Sequence, residues 1–360
     1  MGVAPSKDRV NQKWLYDVLL DVQVKHKLPA MGVAFVSTED IHAFATCGFR
    51  AANSNKGVEL HDQWHLGSCT KAMTATLAAK LVAEGVLHWN LTLAQVYGAD
   101  SVQPDLREVT FRQLLGHRSG LGEPFGGYPR VPINENPRAR DEVARTNVAR
   151  KPEFPVGSYH YTGIGYVIAA SIMEQATRTS WENLMTNLVF QPMGMRSAGF
   201  GPPGTTLSNP PRFIYGHDAG QPTAKDNPSP LGPAGTVHAS IADWAKFVQH
   251  HLKGAAEKTR YLDQEHFQKL HTPLPGPGQS YALGWVVKQS GGVPSLSHKG
   301  SNRYWYCEAQ LYPSEGYAIL VTTNTSREES EPAVQELVQR VKAEKGRWIT
   351  SAKKPVDSGK

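Results

Sequence analysis

The sequence has few cysteines and no long apolar run, and each scarcity excludes a class of protein. Only three cysteines occur in 360 residues, Cys47, Cys69 and Cys307, so a disulfide framework is excluded and at least one thiol is free. No apolar stretch approaches the roughly 20 residues that cross a bilayer. The first residues lack the apolar centre of a signal peptide. The compartment therefore stays open: periplasmic or secreted if a signal peptide has been removed, cytoplasmic otherwise.

The chain also has little excess charge and no metal or cofactor motif. Its 38 basic and 32 acidic side chains leave a formal net charge of +6. No nucleic-acid-binding motif accompanies that charge, so we expect no nucleic-acid partner. His61 and His65 have the spacing of the zinc-protease motif, which requires a helix. This segment reads as extended, which places the two imidazoles about 13 Å apart. We therefore predict no metal site and no cofactor.

Strand patterns occur near both ends of the chain, and a mostly helical block lies between them. Helical spacing of apolar residues appears at 10–27 and 331–345, and residues 68–270 read mostly as helix with long Gly/Pro-rich loops. The segments that read as strands are 31–37, 43–49, 281–288, 295–298, 305–312 and 317–323.

This order predicts an α+β fold. Strands from both ends would form one antiparallel sheet flanked by the terminal helices, with an all-helical subdomain beside it. We assign residues 1–66 and 271–348 to the sheet subdomain and 67–270 to the helical one, and predict a disordered tail at 349–360. An active site is expected in the cleft between the two subdomains.

The most informative stretch is Ser68-Cys69-Thr70-Lys71 at the start of an apolar helical run. Positions i and i+3 share a helix face, so the Lys71 amine can reach the Ser68 hydroxyl. A hydroxyl beside a base, at the positively polarised start of a helix, is typical of an activated nucleophile. The same spacing recurs at Ser351 and Lys354, but that copy lies in a polar tail and is interpreted as solvated.

Two further stretches could complete such a site with a proton carrier and an oxyanion hole. Tyr161-Thr162-Gly163 lies at a turn before an apolar helix, and His298-Lys299-Gly300 ends a strand. The glycine at 300 allows a substrate to approach the strand backbone closely. No Gly-x-Ser-x-Gly elbow is present, which argues against an α/β-hydrolase.

With these three elements in order, the chain resembles the serine β-lactamase and penicillin-binding-protein superfamily, in the branch of class C β-lactamases, D,D-carboxypeptidases and family VIII esterases. Ser68 to Lys71 matches the Ser-x-x-Lys element and Tyr161 to Gly163 the Tyr-x-Asn element. His298 to Gly300 matches the Lys/His-x-Gly strand element. The resemblance spans about residues 10 to 345 and implies a β-lactamase/transpeptidase-like fold.

The resemblance also implies a role for each matched position. Ser68 would be the nucleophile, Lys71 the group that orients and deprotonates it, and Tyr161 the carrier of the proton to the leaving group. The backbone N–H groups of Ser68 and Ser301 would form the oxyanion hole. Substrate would be bound by the remaining matched positions, which are Gly163, His298, Lys299 and Gly300.

Three departures from the family pattern bear on the substrate. Gly163 replaces an asparagine whose amide helps to hold the lysine and the substrate, which favours ester hydrolysis. His298 replaces a lysine, and an ordinary imidazole would make activity depend on pH between about 5.5 and 7.5. Lys299 replaces a hydroxyl residue, and could attract an anion or, as we favour, point to solvent. A water or a residue of the 120–137 loop could replace the asparagine beside Lys71.

We therefore predict a serine hydrolase that forms an acyl-enzyme on Ser68 and acts on small carboxylic esters or related amides. A β-lactamase or D-amino-acid peptidase is the alternative within enzymes, so the substrate would be a small-molecule ester, amide or β-lactam. A non-catalytic relative that only binds acyl or peptide ligands is the alternative outside them. The sequence leaves the oligomeric state open.

Overall fold

Consecutive strands lie toward both ends of the chain and helices predominate between them, in a computed structural model that describes residues 7–124, 127, 136, 138–290 and 292–349. Apart from Ile349, the tail predicted at 349–360 lies outside the described residues, as does most of 125–137. The α-helices are α1 Lys7–Lys25, α2 Thr70–Ala83, α3 Leu93–Tyr97, α4 Phe111–Leu115, α5 Ala139–Val148, α6 Ile164–Thr177, α7 Trp181–Met185, α8 Gly232–Gly235, α9 Ile241–Ala255, α10 Gln264–His271 and α11 Arg327–Ala343. The strands are β1 Ala30–Ser37, β2 Ile41–Gly48, β3 Gln63–His65, β4 Gly199–Phe200, β5 Gly216–Asp218, β6 Gln221–Thr223, β7 Val237–Ser240, β8 Val286–Ser290, β9 Val293–Ser301, β10 Tyr306–Tyr312 and β11 Tyr317–Thr323.

The main sheet joins both ends of the chain. Its six strands run in the order β2-β1-β11-β10-β9-β8, and every neighbouring pair is antiparallel. β1 pairs with β11, with Met31 opposite Thr323, so the N-terminal and C-terminal strands lie side by side at the centre. The α+β fold with an antiparallel sheet and flanking terminal helices is confirmed.

The central strands are apolar on both faces because both faces are covered. In β11, Ile319 and Val321 belong to a core that also holds Leu15 of α1 and Leu337 of α11. Leu320, on the opposite face, belongs to a larger core shared with α2, α6 and α9. Strands covered on both faces read as continuous apolar runs rather than as alternating patterns.

Helix α2 runs through the larger core and brings its N-terminus to the sheet. Eleven of its 14 residues are buried, as expected for a helix that is apolar on all sides. A 3-10 turn, Gly67–Cys69, precedes it and packs against β9. This junction places the beginning of α2 beside the end of β9.

Several boundaries differ from the predicted ones. The strand predicted at 281–288 begins only at Val286, because Gly284 adopts a positive φ of 86° and turns the chain. Helix α11 begins four residues before 331, at Arg327, because the Ser326 side chain accepts a hydrogen bond from Glu329 N–H and caps it. The division into subdomains at 66/67 and 270/271 stays a prediction. Of the helices described, none is both long and apolar enough to cross a membrane.

Candidate active site

The turn that carries Ser68 depends on two glycines that let the backbones of α2 and β9 meet. Gly67 has a φ of +47°, and a Cβ on it would lie 2.4 Å from the Ser301 backbone nitrogen. A Cβ on Gly300 would lie 2.0 Å from the carbonyl oxygen of Leu66. Because contacts this short exclude any side chain, both positions require glycine. The half-buried Ser68 is therefore held next to the end of β9, with the Ser301 N–H close by.

Lys71 lies one helical turn from Ser68 and is buried. Its Nζ donates hydrogen bonds to Ser68 Oγ at 3.0 Å and to the Ala234 carbonyl oxygen at 2.8 Å. No ion pair recorded among the described residues includes Lys71. Burial lowers the pKa of Lys71 to about 7, although Cys69 and Glu123 act in the opposite direction. A neutral amine near pH 7 has a lone pair with which to accept the Ser68 proton.

The Ala234 carbonyl is a backbone group that holds the Lys71 amine; the expectation of a water or of a residue from the 120–137 loop stays a prediction, because most of that loop lies outside the described residues. Ala234 lies in α8, and the neighbouring Pro233 carbonyl accepts a hydrogen bond from Thr74 Oγ1 of α2 at 2.7 Å. This pairing fixes α8 against α2, so a backbone oxygen holds the Lys71 amine. From the described part of the 120–137 loop, the Glu123 carboxylate acts on Lys71 through its electrostatic field.

Tyr161 lies on the other side of Ser68. The Ser68 side chain is close enough to act on the pKa of the Tyr161 hydroxyl, and the Tyr161 ring centroid is 4.8 Å from Lys71 Nζ. Although 40 % of the residue is exposed, burial of the hydroxyl raises its pKa well above the ordinary value. The phenol therefore keeps its proton at neutral pH. Thr162 fixes the turn, because its Oγ1 donates to the Gly122 carbonyl at 3.0 Å.

His298 does not behave as the sequence predicted. Only 4 % of it is exposed, and burial together with the charge of Lys71 lowers its pKa to about 3. Its Nδ1 lies 2.8 Å from the Lys299 carbonyl oxygen, so Nδ1 carries the hydrogen, and its Nε2 accepts from Tyr281 Oη at 3.1 Å. The titration predicted between pH 5.5 and 7.5 is therefore wrong. A buried, uncharged ring with both nitrogens bonded supports the strand end.

Lys299 and Gly163 complete the set of predicted residues. Lys299 is exposed and forms an ion pair with Glu331 of α11, as expected for a side chain that points to solvent. Gly163 precedes α6 with helical φ and ψ of −74° and −27°. It brings no side chain to Lys71, so position 163 does not supply the amide that the family it resembles has there.

A cavity of about 550 Å³ opens over Ser68. It is lined by Ser68, Tyr159, Tyr161, Gln279, Val286, Lys288, Ser297, His298, Lys299, Gly300, Ser301, Tyr306 and Arg327. Two larger hollows, of about 880 and 990 Å³, lie at residues 205–213 and between α1 and β2, and neither is lined by Ser68. The chemistry of the lining, rather than the volume, therefore identifies the candidate site.

Sequence reasoning gave no role to His117 and Tyr281. Both are buried against Tyr161, with ring centroids 4.4 and 6.4 Å from it. The His117 Nδ1 accepts from Thr162 N–H at 3.4 Å, and burial lowers the pKa of this imidazole well below its ordinary value. The sequence gives only a weak indication of their place in the site, because a histidine or tyrosine in an apolar stretch is typical of an ordinary core residue. Among the described residues, no group of three or more His, Cys, Asp or Glu side chains is placed to hold a metal ion.

Comparison with known proteins identifies the family and the fold of the chain. The family model described as Beta-lactamase matches residues 15–343. Unguisins hydrolase ungD' of Aspergillus campestris is 26% identical over 322 residues, which cover 83% of this chain and 59% of that protein. Penicillin-binding protein 4 of Amycolatopsis lactamdurans is 25% identical over 329 residues, 84% of this chain and 82% of that protein. The solved structure of D-amino acid amidase from Ochrobactrum anthropi SV3, complexed with L-phenylalanine amide, superposes with a TM-score of 0.70 at 19% identity, covering 92% of this chain and 99% of that one.

Proposed function

Since the chain belongs to the beta-lactamase family, we propose that it is a serine hydrolase that forms an acyl-enzyme on Ser68 and acts on small carboxylic esters or related amides. The observation that carries this proposal is the buried Lys71 amine, 3.0 Å from Ser68 Oγ and with a pKa of about 7. A protein that only bound acyl ligands would gain nothing from a desolvated base at this distance.

The geometry supports a specific order of proton transfers. Neutral Lys71 takes the hydroxyl proton as Ser68 Oγ attacks the substrate carbonyl carbon. The oxyanion that forms would be bound by the N–H groups of Ser68 and Ser301. Tyr161, which keeps its proton because of its raised pKa, donates to the leaving alcohol or amine as the bond between it and the carbonyl carbon breaks. The proton held by Lys71 then restores the Tyr161 phenol.

Deacylation reverses these roles around a water molecule. The water attacks the acyl carbon of the ester on Ser68, its proton passes to Lys71 through Tyr161, and the carboxylic acid leaves as Ser68 regains its hydrogen. Each group is thus required twice, once for acyl transfer to the enzyme and once for transfer to water.

The absence of a side chain at Gly163 favours esters over β-lactams and peptides as substrates. With no side chain at this position, residue 163 itself offers no amide that could hydrogen-bond the acylamino group of a penicillin or a peptide. Lys71 itself does not need that amide, because the Ala234 carbonyl holds its Nζ. The second candidate is hydrolysis of β-lactams or D-amino-acid amides. It is favoured by the similarity to a penicillin-binding protein and to a D-amino acid amidase.

The test compares substrates on one enzyme. We expect wild type to hydrolyse p-nitrophenyl butyrate, with little turnover of a chromogenic cephalosporin or of D-phenylalanine amide, and Ser68→Ala to be inactive on all three. A faster reaction with the cephalosporin or the amide would replace the ester proposal by the second candidate. No turnover of any of the three, with no acyl adduct, would favour a binding protein.

A variant at position 163 sharpens the comparison. The φ and ψ of Gly163 are ordinary helical values that asparagine adopts, and the resemblance to the family implies that the amide would lie near Lys71. We expect Gly163→Asn to raise the ratio of cephalosporin to ester turnover. An unchanged ratio would show that the missing amide does not determine the choice of substrate.

A further inference from the structure

A buried carboxylate and imidazole lie directly behind the nucleophile turn. His65 ends β3 and Asp226 lies in the loop before α8, and their side chains are 0% and 7% exposed. The His65 Nε2 is 2.9 Å from Asp226 Oδ1. On its other side, His65 Nδ1 accepts a hydrogen bond from Gly67 N–H at 3.1 Å. The His65–Asp226 pair is therefore hydrogen-bonded to the backbone of Gly67, the residue before Ser68.

These bonds fix which nitrogen of His65 carries the hydrogen. Since Gly67 N–H is a donor, Nδ1 must present its lone pair, so the hydrogen resides on Nε2 and is donated to Asp226. A ring with the hydrogen on Nδ1, or on both nitrogens, would place two donors face to face at Gly67. The carboxylate thus selects the one form of His65 that can hold the nucleophile turn.

Asp226 also reaches the β9 side of the site. Its Oδ1 accepts from Asn302 Nδ2 at 2.8 Å, and Asn302 directly follows Ser301. The backbone N–H of Asn227 donates to the same oxygen at 2.6 Å. One carboxylate is therefore connected to Gly67 through His65 and to the neighbour of Ser301 through Asn302. These are the two backbone segments whose N–H groups would bind the oxyanion.

We propose that His65 and Asp226 are positioning residues of the acyl-transfer site, which set the Gly67–Ser68 and Ser301 backbones so that their N–H groups converge on the oxyanion. This inference rests on the proposed function, since it needs Ser68 to be the nucleophile. Neither side chain lines the cavity over Ser68, so both act through the backbone and not on the substrate.

Two substitutions at position 65 separate positioning from packing. In His65→Asn, the amide oxygen can occupy the place of Nδ1 and still accept from Gly67. In His65→Gln, the amide nitrogen can occupy the place of Nε2 and still donate to Asp226, while the acceptor for Gly67 is lost. His65→Asn thus keeps the hydrogen bond with Gly67, and His65→Gln keeps the hydrogen bond with Asp226.

The readout is the rate at which a fluorophosphonate probe labels Ser68, per folded molecule. In this reaction the Oγ–P bond forms, the P–F bond breaks, and the hydroxyl proton passes to Lys71 as fluoride leaves. The phosphonyl oxygen occupies the oxyanion position. We expect His65→Gln to slow labelling about fivefold or more, as for loss of one hydrogen bond, and His65→Asn to recover most of that loss.

His217 provides a matched control. It is buried, its Nε2 accepts from Ala52 N–H at 2.9 Å, and its Nδ1 bonds the Asn324 carbonyl, but it does not line the cavity. We expect His217→Gln to lower the melting temperature while leaving the labelling rate unchanged. If His65→Gln and His65→Asn label at equal rates, or both label like wild type, the positioning role is refuted.

Asp226→Asn tests the carboxylate independently. The new amide can donate to His65 Nε2 and thereby drive the hydrogen to Nδ1, where it opposes Gly67 N–H. We expect labelling to slow at least as much as in His65→Gln, and a rate equal to wild type would contradict the proposal. Absence of labelling in wild type itself would instead refute Ser68 as the nucleophile, and the inference would fall with it.

Discussion

Lowering the pH from 8 to 6 is expected to slow acylation about tenfold, because it protonates the base. Burial lowers the pKa of Lys71 to about 7. The neutral fraction is then about nine-tenths at pH 8 and about one-tenth at pH 6, with half-protonation near pH 7. An ordinary lysine with a pKa near 10.4 would be neutral in only about 4 of 10,000 molecules at pH 7. Burial therefore increases the reactive form by about a thousandfold.

The two other ionisable side chains that line the cavity beside Lys71, His298 and Tyr161, are not expected to titrate in this range. The pKa of His298 is lowered to about 3 by burial and by Lys71, so this ring is uncharged from pH 5 upwards. The pKa of Tyr161 is raised, so its phenol stays protonated. The acid side of the profile should therefore follow the protonation of Lys71 rather than that of either of these groups. Activity is present above pH 7 and falls as the pH drops through the lowered pKa of Lys71.

The assay is kcat/KM for p-nitrophenyl butyrate between pH 5 and 9, since this ratio reports on groups of the free enzyme. Released p-nitrophenol is read at its isosbestic wavelength, and Ser68→Ala supplies the blank. His298→Gln is the control, and its midpoint should stay near 7 even if its rate changes. A midpoint above 9 would refute the role of burial at Lys71. A midpoint that moves in His298→Gln would show that the histidine titrates after all.

Three further substitutions test separate parts of the structure. Gly300→Ala should lower kcat/KM more than tenfold and also reduce the urea midpoint, since its Cβ would lie 2.0 Å from the Leu66 carbonyl oxygen; normal activity would contradict the close approach of the two backbones. Arg140→Leu leaves the carboxylates of Glu174 and Glu182 without their cation. It should lower the free energy of unfolding in urea by about 3 kcal/mol or more, and a decrease below about 1 kcal/mol would refute this role of the ion pairs. Tyr161→Phe should lower kcat about 100-fold, as for removal of a proton carrier, and an unchanged kcat would assign the transfer to another group.

The Ser68–Lys71 pair could be predicted because helix geometry alone brings positions three apart onto one face. Strand β11 could also be predicted to the residue, since a continuous apolar run begins directly after a turn at Gly316. In both cases the signal is local, so no knowledge of the tertiary structure is needed.

The partners of these residues could not be predicted in the same way. Ala234 bonds Lys71 through a backbone carbonyl 163 positions away, and every residue type has such a carbonyl. His298 was expected to titrate near neutrality because its identity gives the ordinary pKa but not its burial or its bond with Tyr281. His65 was considered only as a metal ligand, and its connection to Asp226 depends on a loop 161 positions away.

The covalent state of Ser68 during turnover tests the central claim most directly. Wild-type protein mixed with p-nitrophenyl butyrate and quenched in acid should gain the mass of one butyryl group, and peptide mapping should place that group on Ser68. The Ser68→Ala variant should gain nothing and release no p-nitrophenol above the buffer rate. Turnover that persists in Ser68→Ala, or an acyl group found on another residue, would contradict the account.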